Sequence, residues 1–443
     1  MQASPASAQN KINILRYNDD FSQLKKDSSK EGLQKLKYIS IGKKNYISFG
    51  GELREQFQRY NNLNFGDVPQ NFPAITTNQL MHRLLIHTNI ELGTNLRLFV
   101  QLNNTLRLFN DNPVIPEIDE NKLSLQQSFA EIKLNKWKMR VGRQEMLYGN
   151  HRLITVREGP NTRKTFDGIV IKRSLKNGNI DFIATTPVIA KQGVFDDVSF
   201  KECLIGFYGS HSLIKNKIAV DYFAFNFQSR LRKYNYKTGF ENRQTYGTRL
   251  FSSLPKVNFE VEGAYQSGKF AALNINAYSV LADINVILMP VKKGIIGFSA
   301  NVASGDKSDT DKKLNTYNLL FAKPAYGLAI PIGSTNMISL SPDIKINPLP
   351  KLNILTQVFF LSRNSSRDGT YSLGMIQNRP KPWLNYSPEK TLGKFYLLET
   401  NYQQTKNLSF AIDGSYFKAG SYPKATGSCK DVLYLSFKST FRF

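Results

Sequence analysis

An alternation of apolar and polar residues with a period of two runs through most of this chain. In the first such segment, Ile47, Phe49 and Leu53 share one parity, whereas Glu52 and Arg54 take the other. Successive side chains of a strand point to opposite faces, so this segment predicts a strand with one apolar and one charged face. Almost no part of the chain has the spacing of a helix.

The same pattern returns along the chain, which gives eighteen segments in total. The others are 80–92, 95–109, 123–134, 137–145, 165–175, 179–188, 202–212, 216–228, 243–253, 256–267, 274–289, 293–304, 335–346, 351–362, 392–403, 408–418 and 431–443. A soluble sandwich does not usually place charge on the second face of nearly every strand. Lipid on one face and water on the other explains both parities.

The connections between these segments alternate between short and long. Short turns are predicted at Gly93-Thr94, Asn135-Lys136, Lys176–Gly178, Leu254-Pro255, Pro290–Lys292, Asn347–Pro350 and Thr405–Asn407. Longer connections are predicted at 61–79, 110–122, 146–164, 189–201, 229–242, 268–273, 305–334, 363–391 and 419–430. Bacterial outer-membrane barrels have short periplasmic turns and long external loops.

These features together predict an all-β fold, a single closed antiparallel transmembrane β-barrel of about 18 strands. The barrel is expected to span 45–443, after a polar periplasmic segment at 1–44. An even number of strands places both termini on the periplasmic side of a Gram-negative outer membrane.

The charge of the chain narrows the class of partner. Lys and Arg number 59 against 34 Asp and Glu, a formal net charge of +25. Such a surplus favours an anionic partner, such as nucleic acid, an anionic membrane surface or an acidic polymer. We expect no nucleic-acid partner, because no nucleic-acid-binding motif or glycine-rich phosphate loop is present. No stretch reaches about 18 consecutive apolar residues, so no transmembrane helix is predicted.

The stretch Val141–Gly168 concentrates charge between two predicted strands. Its arginines are Arg143, Arg152, Arg157 and Arg163, and its acids include Glu145, Glu158 and Asp167. One reading is a solvated loop with weak surface ion pairs. The other is a segment folded into the lumen, where the acids orient guanidinium forks toward an anionic ligand. About nineteen irregular residues are too many for a simple turn, so we expect an inward fold.

The alternation of apolar and polar residues assigns further candidates to the lumen wall. On the polar faces of the predicted strands lie Arg54, Arg83, Arg97, Arg107, Arg140 and Arg249. With the four arginines and three acids of Val141–Gly168 named above, they form the predicted pore lining that binds substrate. The competing interpretation is a network of salt bridges that only stiffens the wall.

Evidence for catalysis or for a cofactor is weak. His87 and Asn89 share a face, but no serine is placed to act as a nucleophile, so we expect no enzyme activity. Asp306, Asp309 and Asp311 lack the spacing of a calcium loop, and a solvated acidic turn is the expected structure. We predict neither a metal site nor a cofactor.

Several motifs give the chain a specific resemblance. They are LRYNDDFSQL (15–24), LKYISIG (36–42), YISFGGELRE (46–55), VGRQEMLYGNHRL (141–153), VREGPNTRKTFDG (156–168), GVFDD (193–197), ASGDKSDTD (303–311) and YLSFKSTFRF (434–443). On these motifs the chain resembles the alginate export family of outer-membrane β-barrels, in its Bacteroidetes-type branch. The resemblance implies eighteen strands and the passage of an anionic polysaccharide through an arginine-lined pore.

The expected function is therefore an outer-membrane channel or exporter that passes an anionic (poly)saccharide or another anion. The alternative is a scaffold or surface-binding barrel that acts with a partner protein, its lumen plugged by 146–164 and 305–334. Outer-membrane lipid and lipopolysaccharide are further expected partners. The terminal aromatic Phe443 is typical of the last strand that the barrel assembly machinery recognises.

Overall fold

A closed barrel of antiparallel strands forms the body of this computed structural model, which describes residues 12–26, 31–66, 76–110, 119–235, 237–289, 294–308, 310–380 and 386–443. In chain order, strands β1 to β18 are Tyr46–Asn61, Thr76–Leu92, Leu96–Asn110, Asn121–Leu134, Trp137–Gln144, Phe166–Leu175, Gly178–Ile189, Glu202–Ile214, Ile218–Tyr234, Lys237–Ser252, Val257–Phe270, Leu273–Met289, Gly294–Ala303, Met337–Leu349, Leu352–Arg363, Thr391–Gln403, Leu408–Ala419 and Val432–Arg442. Each strand pairs with the next, and β18 pairs with β1. The predicted fold is confirmed.

The remaining regular elements are short. The additional short strands, each paired with another strand, are Ile39–Ser40, Asp197–Val198, Lys313–Leu314, Thr370–Tyr371 and Gln377–Arg379. The 3-10 helices are Arg16–Asn18, Ser22–Lys26, Gly32–Lys37 and Leu63–Gly66, and an α-helix spans Ser421–Ala425. Within the described ranges, no helix has the length and apolar character needed to cross a membrane. The predicted turn Pro290–Lys292 and the candidate ligand Asp309 lie outside the described residues.

The two faces of the wall follow the parity of the sequence. In β1, Glu52 and Arg54 are each 3% exposed, whereas Leu53 and Phe57 on the other face are 38% and 41% exposed. The charged parity therefore faces a filled lumen, and the apolar parity faces outward to lipid. Because the sheet closes on itself, its main strands leave no open edge of unpaired backbone groups, as a membrane requires.

Two connections predicted to be long are short turns. Strands β9 and β10 extend to a turn between Tyr234 and Lys237, and β11 and β12 to a turn at Ala271. The predicted connections 229–242 and 268–273 are therefore wrong. Several outward side chains near these turns are polar, as in the hydrogen bond of 2.7 Å from Asn226 Nδ2 to Asn242 Oδ1. These polar residues interrupt the apolar alternation on the outward face, so the sequence pattern stops before the strands do.

Two long external connections fold into the lumen instead of rising above the membrane. The 145–165 segment joins β5 to β6, and the 304–336 segment joins β13 to β14. They pair with each other: Phe321 N donates to Leu153 O at 2.8 Å, and Lys323 N donates to His151 O at 3.0 Å. Leu153, Ile154 and Phe321 belong to one buried apolar cluster with inward residues of the wall. The external half of the barrel thus has an apolar core.

Residues 13–19 form a compact N-terminal clip against the inner wall. Arg16 donates to Gly51 O at 2.8 Å, to Phe443 O at 2.7 Å and to Asp19 at 2.9 Å. Gly51 and Phe443 also exchange backbone hydrogen bonds of 2.9 and 3.0 Å. The clip therefore fastens the seam where the last strand meets the first.

Replacement of outward leucines in β18 tests the placement of the lipid-facing surface. Leu435 lies on the outward face, two residues deeper than Leu433, whose neighbour across the sheet is Tyr416. Leu435→Arg is expected to lower the free energy of unfolding by roughly 2–4 kcal/mol, because a cation near the bilayer midplane loses its hydration. Leu433→Arg, nearer the interface, is expected to cost about 0–1 kcal/mol. Denaturant titration in lipid vesicles measures both, and equal costs would contradict this placement.

Candidate functional site

A buried network of ion pairs fastens the 145–165 segment to the wall. Arg83 Nε donates to Glu52 at 2.9 Å, and Arg83 also pairs with Glu158 of the segment. Arg163 lies 3.1 Å from a carboxylate oxygen of Glu158 and 3.1 Å from one of Glu145. Burial alone would raise the pKa of Glu158, but the charges of Arg83 and Arg163 lower it to about 2. Glu158 thus stays ionised and bridges two guanidiniums.

Backbone groups of the same segment are also held by the wall. The Arg54 guanidinium donates to Glu158 O at 3.0 Å, to Pro160 O at 3.2 Å and to Asn161 Oδ1 at 3.1 Å. Arg54 is 3% exposed, so all three bonds are shielded from water. A side chain on β1 therefore fixes the path of a chain segment more than a hundred residues away.

The two motifs that begin and end the segment meet across β5 and β6. Arg143 donates to both carboxylate oxygens of Asp167, at 2.8 and 2.9 Å. Beside this pair Gly142 lies opposite Gly168, and Gly142 has a φ of +129°. A Cβ at Gly142 would lie 2.3 Å from Ser128 O, so only glycine fits. The glycine of this motif therefore allows β4 and β5 to lie close together.

Arg97 and Arg140 hold the N-terminal clip. Both pair with Glu131, at 2.8 and 2.7 Å. The Arg140 guanidinium lies 3.8 Å from the centre of the Tyr17 ring, and Arg97 Nη1 donates to Tyr17 O at 2.7 Å. Tyr17 Oη in turn donates to Glu145 O at 2.9 Å. The clip, the wall and the inward segment form one connected unit.

Three other predicted arginines are also engaged. Arg107 donates to Gln79 Oε1 at 2.6 Å. Arg249 pairs with Asp221 at 2.7 Å and with Glu260 at 2.8 Å. Arg157 donates to Ala322 O at 3.0 Å and to Leu373 O at 3.2 Å, which joins three external connections.

Arg152 differs from the rest of the predicted set. Its guanidinium makes no hydrogen bond or ion pair within the described part of the chain, and its Nε is buried. It lines a cavity of about 530 Å³ together with His151, Lys323 and the wall acids Glu260 and Asp283. Burial and the charges of Lys323 and Arg249 lower the pKa of His151, so this histidine is neutral near pH 7. Arg249 and Lys345 also line the cavity, but both form ion pairs with acids of the wall. Among the described residues, Arg152 and Lys323 are therefore the lining cations without an ion pair, which the cavity can offer to a solute.

Lys323 was not among the predicted site residues. It lies in the 304–336 segment, which the sequence predicts as a long external connection and places in the lumen only under the scaffold alternative. One signal was present: the run YNLLFAKPAYGLAIPI (317–332) is too apolar for a solvated loop. An apolar run of this length inside an external connection indicates a segment that packs into the barrel.

Four cavities adjoin one another along the lumen. An outer cavity of about 510 Å³ shares Pro324 and Gly327 with one of about 220 Å³. The latter shares His151 and Lys323 with the 530 Å³ cavity, which extends to Ser253 at the periplasmic end of β10. A fourth cavity, of about 400 Å³, lies beside the N-terminal clip. The first three follow the gap between the two inward segments.

Comparison with known families agrees with this architecture. The model of the alginate export family matches residues 45–431, nearly the whole chain. The chain belongs to the alginate export family. It is accordingly an outer-membrane channel protein of the Gram-negative type, with periplasmic termini.

Solved barrels of Pseudomonas aeruginosa share the fold of this alginate export family member. OccK11 (OpdR) is 11% identical, with 92% of this chain and 99% of that chain covered at a TM-score of 0.59. OccK2 (OpdF), solved in complex with glucuronate, is 10% identical, with 90% and 98% covered at a TM-score of 0.61. OprD is 11% identical, with 90% and 93% covered at a TM-score of 0.59. No curated protein matches the sequence.

The ion pairs of Glu158 with Arg83 and Arg163 predict how its replacement changes the conductance of the channel. Glu158→Gln leaves Arg83 and Arg163 with one carboxylate each, so the inward segment should lose roughly 1–3 kcal/mol of anchoring. We expect a folded barrel with higher and less selective single-channel conductance. Glu55→Gln is the control, because Glu55 pairs with His82 on the outward face and is 39% exposed at its side chain. An unchanged conductance in Glu158→Gln would contradict this role.

The pKa of Glu158 predicts the pH dependence of the same anchor. Because the folded-state pKa is lowered to about 2, the pairing stabilises the segment above the usual carboxyl range. The stabilisation that the ionised Glu158 gives to the inward segment is lost only as the pH falls from the usual carboxyl range toward 2. Conductance of the wild type should therefore show no loosening of this anchor between pH 7 and pH 5, and loosening in that interval would point to another group.

Proposed function

We propose that this channel passes small anionic saccharides, or other solutes that carry a carboxylate, along the gap between the 145–165 and 304–336 segments. The observation that carries the proposal is the position of Arg152 and Lys323. Both cations line the 530 Å³ cavity, which is the nearest to the periplasm of the three cavities along the gap, and Arg152 makes no hydrogen bond or ion pair with a described residue. Cavities of about 300–1,000 Å³ are typical of small-molecule sites.

The walls of this cavity favour passage over tight capture. Glu260, Asp283 and Asp343 line the same cavity as the two cations. A carboxylate solute is attracted to Arg152 and Lys323 and repelled by the acids, so it binds weakly and can leave again. The net charge of +25 raises the local concentration of anions at the channel mouths. The structure of OccK2 with glucuronate gives one precedent for a sugar acid in a barrel of this fold.

The arginines that anchor the inward segment have a different part in this proposal. Arg54 holds the segment through carbonyl and amide oxygens, whereas Arg83 and Arg163 hold it through carboxylates that cancel much of their charge. They set the width of the gap, and Arg152 and Lys323 contact the solute. The predicted arginine lining is thus divided between anchoring and contact.

The alternative is a scaffold barrel with a plugged lumen. It is favoured by the apolar clusters that fill the external half, where Ile330, Phe359 and Phe395 pack together. A scaffold would give no conductance in planar bilayers. A conducting channel with a preference for anions would exclude it.

Charge removal at the cavity tests the proposal. In a salt gradient, the wild type is expected to prefer anions, and Arg152→Gln with Lys323→Gln to lose most of that preference. Arg173→Gln is the control, because Arg173 stacks on the exposed Trp137 at the periplasmic end of β6, 5.0 Å from the ring centre, and does not line the cavity. The difference should shrink at 1 M salt, where the Debye length is about 3 Å instead of about 10 Å at 0.1 M. Cation preference in the wild type at low salt would overturn the proposal.

A further inference from the structure

The outer cavity of about 510 Å³ has a chemistry unlike that of the rest of the lumen. Four external connections and the end of β7 enclose it. Its walls are mainly aliphatic side chains and prolines, among them Val188, Pro324, Ile330, Ile332, Leu373 and Ile376. Polar side chains such as Thr162, Lys164 and Ser372 are the smaller part of the lining. Its surface suits an apolar body.

Two cations lie in this apolar wall without a carboxylate partner. Lys164 Nζ donates to Val188 O at 2.8 Å, and Arg157 donates to two backbone carbonyls. Neither forms an ion pair with a described residue. Burial and the charge of Arg157 lower the pKa of Lys164 to about 8, and burial with the charge of Arg232 lowers that of Arg157 to about 10.

The nearest carboxylates are engaged elsewhere. Glu202 lies 3.1 Å from Arg232, and Asp196 accepts hydrogen bonds from Lys191 N at 3.0 Å and from Asn121. Two neighbouring cations in apolar surroundings are costly when no anion compensates them. Asp196 lines the cavity too, but it forms no ion pair with Lys164 or Arg157. A carboxylate of a ligand in the cavity would supply the compensating charge.

The walls of the cavity are fixed by hydrogen bonds between segments. Lys164 N donates to Val156 O at 2.7 Å, Val188 N to Thr165 O at 3.0 Å, and Gly333 N to Tyr371 O at 2.7 Å. These bonds join the 145–165 segment to β7, and the 304–336 segment to the connection that follows β15. A ligand would therefore meet a formed site, which lowers the entropic cost of binding.

We infer that this cavity is an external binding site for an amphipathic organic anion, a carboxylate attached to an aromatic or branched aliphatic body. The carboxylate accepts hydrogen bonds from Lys164 and Arg157, and the apolar body packs against Ile330, Leu373 and Ile376. This site is separate from the Arg152 cavity, and its occupation does not require that any solute cross the membrane.

Ligand-observed NMR on the detergent-solubilised barrel tests the inference with benzoate as the probe. Benzoate is expected to bind, whereas benzamide lacks the charge, acetate lacks the body and glucuronate has a hydroxylated body. These three should compete weakly or not at all. Lys164→Met keeps the apolar stem and removes the charge, so it should weaken benzoate binding about tenfold.

Matched variants separate binding from folding. Lys390→Met removes an external lysine that likewise donates to a backbone carbonyl, Asn364 O at 3.1 Å, and should leave benzoate affinity unchanged. Ile376→Ser alters a side chain that is 71% exposed, so it should fold normally and weaken binding about threefold. Migration on unheated gels shows whether Lys164→Met folds. If it does not fold, the benzoate affinity of Ile376→Ser alone tests the inference.

Three results would overturn the inference. Benzamide that binds as well as benzoate would exclude a role for the cations. Glucuronate or acetate that competes as well as benzoate would make the cavity an unselective anion vestibule. Unchanged benzoate affinity in Ile376→Ser would exclude the apolar wall as part of a site. None of these results bears on the conductance expected for the Arg152 cavity.

Discussion

The pairing of buried guanidiniums with carboxylates determines the interior of this barrel. Burial of a guanidinium such as Arg83, 0% exposed, is costly unless its charge is compensated, and Glu52 and Glu158 supply carboxylates from the wall and from the inward segment. That requirement holds the 145–165 segment inside. The segment in turn supports the 304–336 segment and divides the lumen into adjoining cavities. The position of the two inward segments, and with it the candidate route, therefore depends on the compensation of buried positive charge.

Most of the barrel could be predicted from the sequence, because two solvents act on the two faces of every strand. Leu53 must face lipid and Arg54 must face water, and no soluble arrangement satisfies that alternation so many times. The prediction failed at 229–242 and 268–273. There the wall carries polar side chains such as Asn242 on its outer face too, so the alternation that marks a strand is absent although the backbone pairing continues.

Less of the candidate site could be predicted, because it depends on contacts between residues distant in sequence. Parity places Arg54 in the lumen, but nothing in the sequence shows that it binds the backbone of Pro160. Arg152 and Arg157 have similar surroundings in the sequence. The 304–336 segment separates their roles: it offers Ala322 O to Arg157 and a cavity to Arg152. The apolar run at 317–332 was the available signal that this segment packs inside.

The 530 Å³ cavity is expected to lie on the conducting route, and chemical modification of a thiol inside the cavity tests this most directly. In a background with Cys203→Ser and Cys429→Ser, Ser299→Cys places a thiol in the cavity with little change of shape. Thr248→Cys places one on the outward face of β10 as a control. A bulky anionic thiol reagent should sharply reduce single-channel conductance in the Ser299→Cys protein and leave the control unchanged. Full conductance after complete modification at Ser299→Cys would contradict the account.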